Sequence, residues 1–156
     1  MKRLTEIIVL LVLAVFQVKP SDAASDDLTT AFSFAKNLET AYQLAKSQSL
    51  PIMLITHKST CPACIRLRPK LTGSDEIVTL SRNFVMVNNG DREDAKAEEV
   101  RPDGRNYYPR IIFFDKNGKV LSDIINPSQK TYKYYFSTEA QVVAAMKEAI
   151  DVNGRT

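Results

Sequence analysis

The segment Cys61-Pro62-Ala63-Cys64 constrains this chain more than any other, because it contains both of the cysteines among the 156 residues. A helical pattern of residues begins directly after it. Pro62 suits the first position of a helix, where the missing N–H of proline is not needed. The segment therefore predicts two thiols at a helix N-terminus, which is typical of a redox-active dithiol.

The order of the two cysteines predicts different roles for them. The N–H groups and the dipole at a helix N-terminus favour an anion, and the thiolate is the form that attacks a disulfide. Cys61 is therefore predicted to be the nucleophile. Cys64, one turn further along and less exposed, is predicted to be the resolving thiol that releases the partner from a mixed disulfide. Positive charge on Lys58, Arg66 and Arg68 would favour the Cys61 thiolate further if these side chains point toward it.

Two other interpretations of the cysteine pair compete with this one. A structural disulfide would close so short a loop that its entropic benefit would be small. A zinc site needs about four ligands, and only His57 offers a further nitrogen donor. We therefore favour the redox interpretation and expect no metal. His57 lies at a predicted strand end, where a structural role is favoured over a catalytic one.

The start of the chain has the pattern of a signal peptide. Lys2 and Arg3 give it positive charge, residues 7–16 form an unbroken apolar run of 10, and small residues follow. This run is shorter than the roughly 20 residues that span a bilayer. Removal of residues 1–24 is therefore predicted, with no membrane attachment afterwards. Residues 25–156 are then predicted to be one domain in a compartment where disulfides persist.

Composition and residue pattern predict an α/β domain. Hydrophobic residues make up 44% and charged residues 25% of the chain, as in ordinary globular proteins. The net charge of +3 is small, which argues against a nucleic-acid partner. Apolar runs predict strands buried on both faces, and helical spacing of apolar residues predicts helices between them. The predicted strands are 52–55, 84–87 and 111–114, with a hairpin partner at 119–121; the predicted helices are 38–47, one from Pro62, one after a cap at Ser74, and one after a capping box at Thr138 to Gln141.

The remaining segments carry weaker predictions. Residues 31–35 are predicted to be a short strand or the approach to a helix. Residues 88–107 are predicted to be a long surface loop with one helical turn near 95–100, whose charges form a solvated surface rather than a binding site. The aromatic residues at 132–136 are predicted to be an edge strand or a packed loop. Pro69 is predicted to kink its helix or interrupt its hydrogen bonds.

A series of short segments, in a fixed order along the chain, accompanies the dithiol. They are Leu50-Pro51-Ile52-Met53, His57-Lys58-Ser59, residues 81–88, Pro102-Asp103-Gly104, Pro109-Arg110-Ile111, Tyr132-Lys133-Tyr134 and Gln141-Val142-Val143. This series covers most of the chain after residue 24. It resembles the thioredoxin superfamily, and more closely its small endoplasmic-reticulum branch, which includes thioredoxin domain-containing protein 12 and the anterior-gradient proteins.

The resemblance implies a single thioredoxin fold with a central mixed β-sheet flanked by helices. It implies that Pro109 is a cis-proline facing the dithiol, and that the backbone of Tyr108 pairs with an extended substrate. It also implies thiol-disulfide oxidoreductase activity on proteins of the secretory pathway, with glutathione as redox partner and no metal or nucleotide cofactor. Anterior-gradient proteins carry one cysteine at this motif, so the chain resembles the members that are competent for disulfide exchange.

Three departures from the family pattern affect the expected site. Thr60 replaces the usual tryptophan, which removes a flat apolar contact from the surface where Thr60 and Pro62 would meet substrate. Pro62 also replaces the usual glycine, so the balance between oxidase, isomerase and reductase activity is not fixed by the motif. Ile55 stands where many thioredoxins bury an acid, which removes one candidate base for Cys64.

The leading hypothesis is a protein-disulfide reductase or related oxidoreductase of the endoplasmic reticulum lumen. The last residues, 152–156, do not include a Lys-Asp-Glu-Leu retrieval signal, so secretion is the alternative location. The alternative function is a non-catalytic module on the same fold that binds client proteins or acts as a secreted signal. Thr60 and the absent retrieval signal favour that alternative.

Overall fold

The computed structural model describes residues 27–91 and 94–156 of the chain. The predicted signal peptide, residues 1–24, lies outside these ranges. A 3₁₀ turn at Leu28–Thr30 begins the described part, and Leu28 is buried there. The strands are β1 (Ile52–Thr56), β2 (Val85–Asn89) and β3 (Arg110–Phe114), and the helices are α1 (Leu38–Gln48), α2 (Pro62–Thr72), α3 (Asp75–Ser81), α4 (Ala95–Glu99) and α5 (Glu139–Arg155).

The three strands of the described residues form one mixed sheet in the order β2-β1-β3. The central strand, β1, runs parallel to β2 and antiparallel to β3, and Ile52 is paired with both Val85 and Phe114. Every residue of β1 is buried, because helices cover both faces of the sheet. The predicted α/β class, with a central mixed sheet flanked by helices, is confirmed.

Alternate residues of the strands supply two separate cores, as the two-residue period of a strand requires. Residues on one face pack with α2, α3 and α5, and residues on the other face pack with α1 and α4. The first set includes Met53, Ile55, Met86, Ile111 and Phe113, and the second includes Ile52, Leu54, Val87, Ile112 and Phe114. The apolar runs therefore predicted the strands correctly, because each run supplies both cores.

Capping side chains fix several of the helix ends. The Asn37 side chain accepts the Thr40 N–H at 2.8 Å to begin α1, and Ser74 accepts the Ile77 N–H at 3.2 Å to begin α3. Thr138 and Gln141 form the predicted capping box of α5. Such caps satisfy N–H groups that have no partner within the helix. The predicted helices at these three places are confirmed.

Pro69 lies inside α2, which continues to Thr72. Proline removes one N–H from the helix, but it stands near the last turn on an exposed face. The helix therefore loses one hydrogen-bond donor without ending.

No helix in the described ranges is long and apolar enough to cross a bilayer.

The predicted hairpin is shorter than expected. Its two strands meet at one bridge, between Phe114 and Val120, and residues 119–121 do not form a regular strand. The Asp115 carboxylate accepts the N–H groups of Asn117 and Lys119, each at 2.9 Å, which closes the turn tightly. Beyond Leu121 the chain turns away instead of extending the ladder.

Two other segments have little regular structure. Residues 31–35 contribute one parallel bridge, from Phe34 to Met86, so the predicted first strand is reduced to a single contact. Residues 132–136 form a packed loop in which Tyr134 is 3% exposed. The Ile111 N–H donates to the Tyr134 carbonyl at 3.0 Å, so this loop covers part of the β3 edge.

Candidate dithiol active site

Cys61 is the N-cap of α2. Its backbone is extended, with φ −77° and ψ 119°, and its Sγ accepts the Cys64 N–H at 3.4 Å. Pro62 takes the first helical position, as predicted. The sulfur therefore lies where the unpaired N–H groups and dipole of the helix favour a negative charge.

The two thiols, which are both free in the structure, differ in exposure. Cys61 is half-buried, whereas Cys64 is 1% exposed. A partner disulfide can reach the first sulfur and not the second. This difference is the one that the proposed roles of nucleophile and resolving thiol require.

Burial raises the pKa of Cys64 to about 12, and the hydrogen bond with Cys61 acts in the same direction. A backbone hydrogen bond from Lys58 and the positive charge of Arg68 oppose this shift. Ile55, at the position where an acid was considered, is 1% exposed and apolar. Among the described residues the buried carboxylate is that of Asp115, which is engaged in its own turn. Cys64 therefore keeps its proton at neutral pH.

The loop before β3 faces Cys61. The Tyr108-Pro109 peptide bond is cis, and Pro109 is buried. The Cys61 thiol donates to the Tyr108 carbonyl at 3.7 Å. Sheet pairing accounts for this approach, since Thr56 at the end of β1 is paired with Arg110 at the start of β3. The segment that leads from β1 to the dithiol and the loop that leads into β3 therefore lie at the same end of the sheet.

A carboxylate from α4 anchors this loop. The Tyr108 hydroxyl donates to Glu98 Oε1, and Nη2 of Arg110 lies 3.4 Å from the same oxygen. Arg110 is fully buried, at 0% exposure, and its Nη1 donates to the Tyr107 carbonyl at 2.8 Å. Burial alone would raise the pKa of Glu98, but the Tyr108 hydrogen bond and the Arg110 charge outweigh it and lower that pKa.

The predicted role of residues 88–107 is therefore partly wrong. The helical turn near 95–100 is present as α4. However, the Glu98 side chain is only 14% exposed and is paired with a buried cation, so it does not belong to a solvated surface. Its carboxylate contacts the residue that faces Cys61.

Two cations lie over the Tyr108 ring. Lys58 Nζ and Arg110 Cζ are each 5.2 Å from the ring centroid, within the range of cation–π attraction. Of the other two cations considered near the dithiol, Arg66 is exposed and the charge of Arg68 acts on Cys64. The Lys58 side chain thus contacts the loop that faces Cys61.

His57 contacts Asn88 rather than a thiol. Its Nε2 lies 2.7 Å from Asn88 Oδ1, and burial lowers its pKa. Its Nδ1 is buried and has no hydrogen-bond partner among the described residues. Within those residues no group of three or more histidine, cysteine or acidic side chains could hold a metal ion.

The remaining predicted site residues lie close to Cys61, the predicted nucleophile. Thr60 and Pro62 flank Cys61 in the sequence, and both are exposed. They are the solvent-exposed residues next to Cys61, whereas Tyr108 is half-buried and Pro109 buried. Contact with substrate at all four positions stays a prediction.

The family profile described as Thioredoxin-like matches residues 33–116, which include the dithiol, all three strands and the loop that faces Cys61. The chain belongs to this thioredoxin-like family. It is 31% identical over 118 residues to Anterior gradient protein 2 homolog of Mus musculus, covering 75% of this chain and 66% of the relative. It is 32% identical over 107 residues to Anterior gradient protein 1 of Xenopus tropicalis, covering 67% and 56%.

The chain therefore spans just under two thirds of the length of the first of these relatives, and somewhat more than half of the second. Among solved structures, DsbH Oxidoreductase aligns with a TM-score of 0.55 at 19% identity, over 81% of this chain and 90% of that chain. At this identity the likeness supports the thioredoxin-like fold alone.

Sequence reasoning missed Glu98 and Arg110 as parts of this thioredoxin-like site. They are 12 residues apart in the chain and follow no local spacing rule. One signal was available, because Arg110 directly precedes a run of four buried apolar residues. A cation at the start of a buried strand requires a carboxylate partner, and residues 88–107 contain several candidates.

Proposed function

We propose that the protein is a thiol-disulfide oxidoreductase that acts on polypeptides of the secretory pathway through Cys61 and Cys64. One observation carries the proposal: the partly buried Cys61 sulfur caps a helix N-terminus beside the Tyr108 carbonyl, and a buried second thiol lies one turn away. Membership of the thioredoxin-like family supports it. The predicted signal peptide supports action in the endoplasmic reticulum lumen or after secretion.

The first step is attack by the Cys61 thiolate on one sulfur of a client disulfide. The client S–S bond breaks, a Cys61–client disulfide forms, and the other client sulfur leaves as a thiolate that takes up a proton. Thr60, Pro62, Tyr108 and Pro109 are proposed to contact the client polypeptide around this bond.

The second step is attack by Cys64 on the Cys61 sulfur. Cys64 first gives up its proton, either to the client thiolate released in the first step or to solvent, since the buried carboxylate of the described residues, Asp115, is engaged in its own turn. The mixed disulfide breaks, the Cys61–Cys64 disulfide forms, and the second client sulfur leaves. Two electrons have passed from the dithiol to the client.

Glutathione is the proposed redox partner. Two glutathione thiols, reacting in succession, would reduce the Cys61–Cys64 disulfide and leave as glutathione disulfide. The same steps run in reverse would form a disulfide in a client dithiol. The reduction potential of the pair against that of the glutathione pool decides the direction.

Insulin reduction in the presence of glutathione tests the proposal. Cys61→Ser is expected to lower the rate by about a thousandfold or more, because no exposed sulfur remains. Cys64→Ser is expected to trap clients as mixed disulfides that gel electrophoresis resolves without reductant. The matched control is Ser59→Ala, a hydroxyl two residues away.

A non-catalytic module is the second candidate for this fold. It would bind the same clients with both cysteines replaced by serine, and Cys64→Ser would trap none of them. That pair of results would reject the oxidoreductase.

A further inference from the structure

We propose that Glu98 is a positioning residue for polypeptide substrates, acting through the hydroxyl of Tyr108. In this inference, which rests on the proposed function, Glu98 holds the Tyr108 backbone in register with Cys61. An extended polypeptide needs that register, and a small disulfide does not. Glu98 would therefore favour polypeptide disulfides over small ones without touching either.

Tyr108 is held at both ends. Its carbonyl lies 3.7 Å from Cys61 Sγ, and its hydroxyl, at the far end of the ring, donates to Glu98. Lys58 and Arg110 lie over the ring between these two ends. Loss of the Glu98 contact frees the hydroxyl end, and the carbonyl is then less well fixed relative to Cys61.

Glu98, on α4, is itself held by residues of two strands. Asn89, the fully buried last residue of β2, donates to Glu98 Oε2 at 3.3 Å. Arg110, the first residue of β3, donates to the Glu98 carbonyl at 3.3 Å and contacts Oε1 at 3.4 Å. The Glu98 carboxylate is therefore fixed relative to β2 and β3, and it fixes the Tyr108 hydroxyl in turn.

The two substrate classes use the loop differently. An extended polypeptide pairs with exposed backbone groups, which supply both affinity and register. A small disulfide has no backbone to pair and needs only access to the Cys61 sulfur. Displacement of the Tyr108 backbone should therefore raise the KM for a polypeptide disulfide and leave the reaction of a small one unchanged.

A purely structural role makes a different demand on Glu98. Arg110 is fully buried, and a buried cation requires a negative partner. A role limited to neutralising Arg110 needs the charge of Glu98. A positioning role needs an acceptor oxygen that reaches Tyr108.

Two substitutions separate these demands. Glu98→Asp keeps the charge and shortens the side chain by one methylene, which withdraws the oxygen from Tyr108. Glu98→Gln keeps the length and an acceptor oxygen but removes the charge. Tyr108→Phe removes the hydroxyl alone, and Glu99→Gln, at the exposed neighbour on α4, is the matched control.

The measurement is kcat/KM of each variant, with glutathione as reductant, for insulin and for 2-hydroxyethyl disulfide. Glu98→Asp and Tyr108→Phe are each expected to lower the value for insulin about tenfold, mainly through KM, and to change the value for 2-hydroxyethyl disulfide less than about twofold. Glu98→Gln is expected to lower the value for insulin less than Glu98→Asp does, because its amide oxygen still accepts the hydroxyl, although Arg110 loses its negative partner. Glu99→Gln is expected to change the value for neither substrate.

The double variant Glu98→Asp/Tyr108→Phe is expected to be no worse than either single variant, because both remove the same contact. Additive losses in the double variant would overturn the inference. Equal losses on both substrates in Glu98→Asp or Tyr108→Phe would also overturn it, as would a large loss in Glu98→Gln with none in Glu98→Asp. If the unmodified protein reduced neither substrate, the proposed function would fail and the inference with it. If the unmodified protein is active and Tyr108→Phe has the same ratio of kcat/KM for insulin to kcat/KM for 2-hydroxyethyl disulfide, only the inference is overturned.

Discussion

The two sides of the candidate active site are built in different ways. On the dithiol side, the contact that places Cys61, the proposed nucleophile, joins it to the N–H of a residue three positions later. On the facing side, Tyr108 contacts Glu98 ten positions away and Cys61 forty-seven positions away. The first side is set by a helix start, and the second by the order of strands in the sheet. The position of Cys61 can therefore be predicted from local sequence, whereas the position of Tyr108 cannot.

The two sides also bury polar groups differently. On the dithiol side, Cys64 is buried as a neutral thiol. On the facing side, Arg110 is buried as a cation next to Glu98. The cost of burying a neutral thiol changes when it loses its proton, whereas the cost of burying a charged group depends on whether an opposite charge stays beside it. The dithiol side should therefore respond to pH, and the facing side to the loss of a partner.

Loss of the buried cation is expected to have the largest effect on stability. Arg110→Met should lower the free energy of unfolding by about 3–5 kcal/mol, because Glu98 loses its buried partner and the Tyr107 carbonyl loses its donor. Chemical denaturation monitored by circular dichroism measures this.

The control is Arg101→Met, since Arg101 also pairs with Glu98, at 3.2 Å, but is 32% exposed. It should cost no more than about 1 kcal/mol. Equal losses of unfolding free energy in the two variants would mean that burial of Arg110 adds nothing to the strength of its pairing with Glu98.

The resolving step on the dithiol side is expected to accelerate with pH. Burial, the largest cause of the raised pKa of Cys64, also acts in the Cys61 mixed disulfide, so the thiolate fraction of Cys64 should rise with pH, by up to about tenfold per pH unit below its pKa. The rate of client release from the Cys61 mixed disulfide, followed by rapid quench, should rise in the same proportion. A plateau near neutral pH would show that a base near Cys64 takes its proton.

The same raised pKa predicts a loss of stability in alkali. The ordinary pKa of this thiol is 9.0, and the folded protein holds the proton to about 12. Below the first value both states are protonated and the thiol contributes no slope. Above about pH 9 the unfolded state binds fewer protons, so the free energy of unfolding of the reduced protein should fall by about 1.4 kcal/mol per pH unit. Cys64→Ala should lack this component in denaturation curves measured across that range.

A substitution beside Cys61 is expected to have the smallest effect. Thr60 is exposed, and Thr60→Trp adds a flat apolar surface beside Cys61. The KM for insulin should fall by about threefold, from partial burial of the added ring against client, while stability stays unchanged. Steady-state kinetics with Thr60→Ser as control measures this, and an equal gain with 2-hydroxyethyl disulfide would contradict contact with polypeptide.

Much of the fold could be predicted because it follows from local patterns. The strand at 52–55 was readable from its apolar residues, and the caps at Ser74 and Thr138 from their side chains. The strand at 119–121 was not, since the turn at Asp115 permits a ladder of any length and tertiary packing ends it after one bridge. The site divides in the same way. The position of Cys61 at a helix start was readable, whereas the pairing of Glu98 with Arg110 depends on how α4 packs against the end of β3.

The hydrogen bonds that hold Cys61 at the start of α2 are with main-chain atoms. Its sulfur meets an N–H and a carbonyl, its own N–H donates to the Lys58 carbonyl at 3.3 Å, and its carbonyl accepts from Ile65 at 3.0 Å. The exposed Thr60 side chain takes no part in these hydrogen bonds, so its exchange should leave Cys61 in place. For protein engineering, this position offers a means of changing the surface beside the dithiol without moving it.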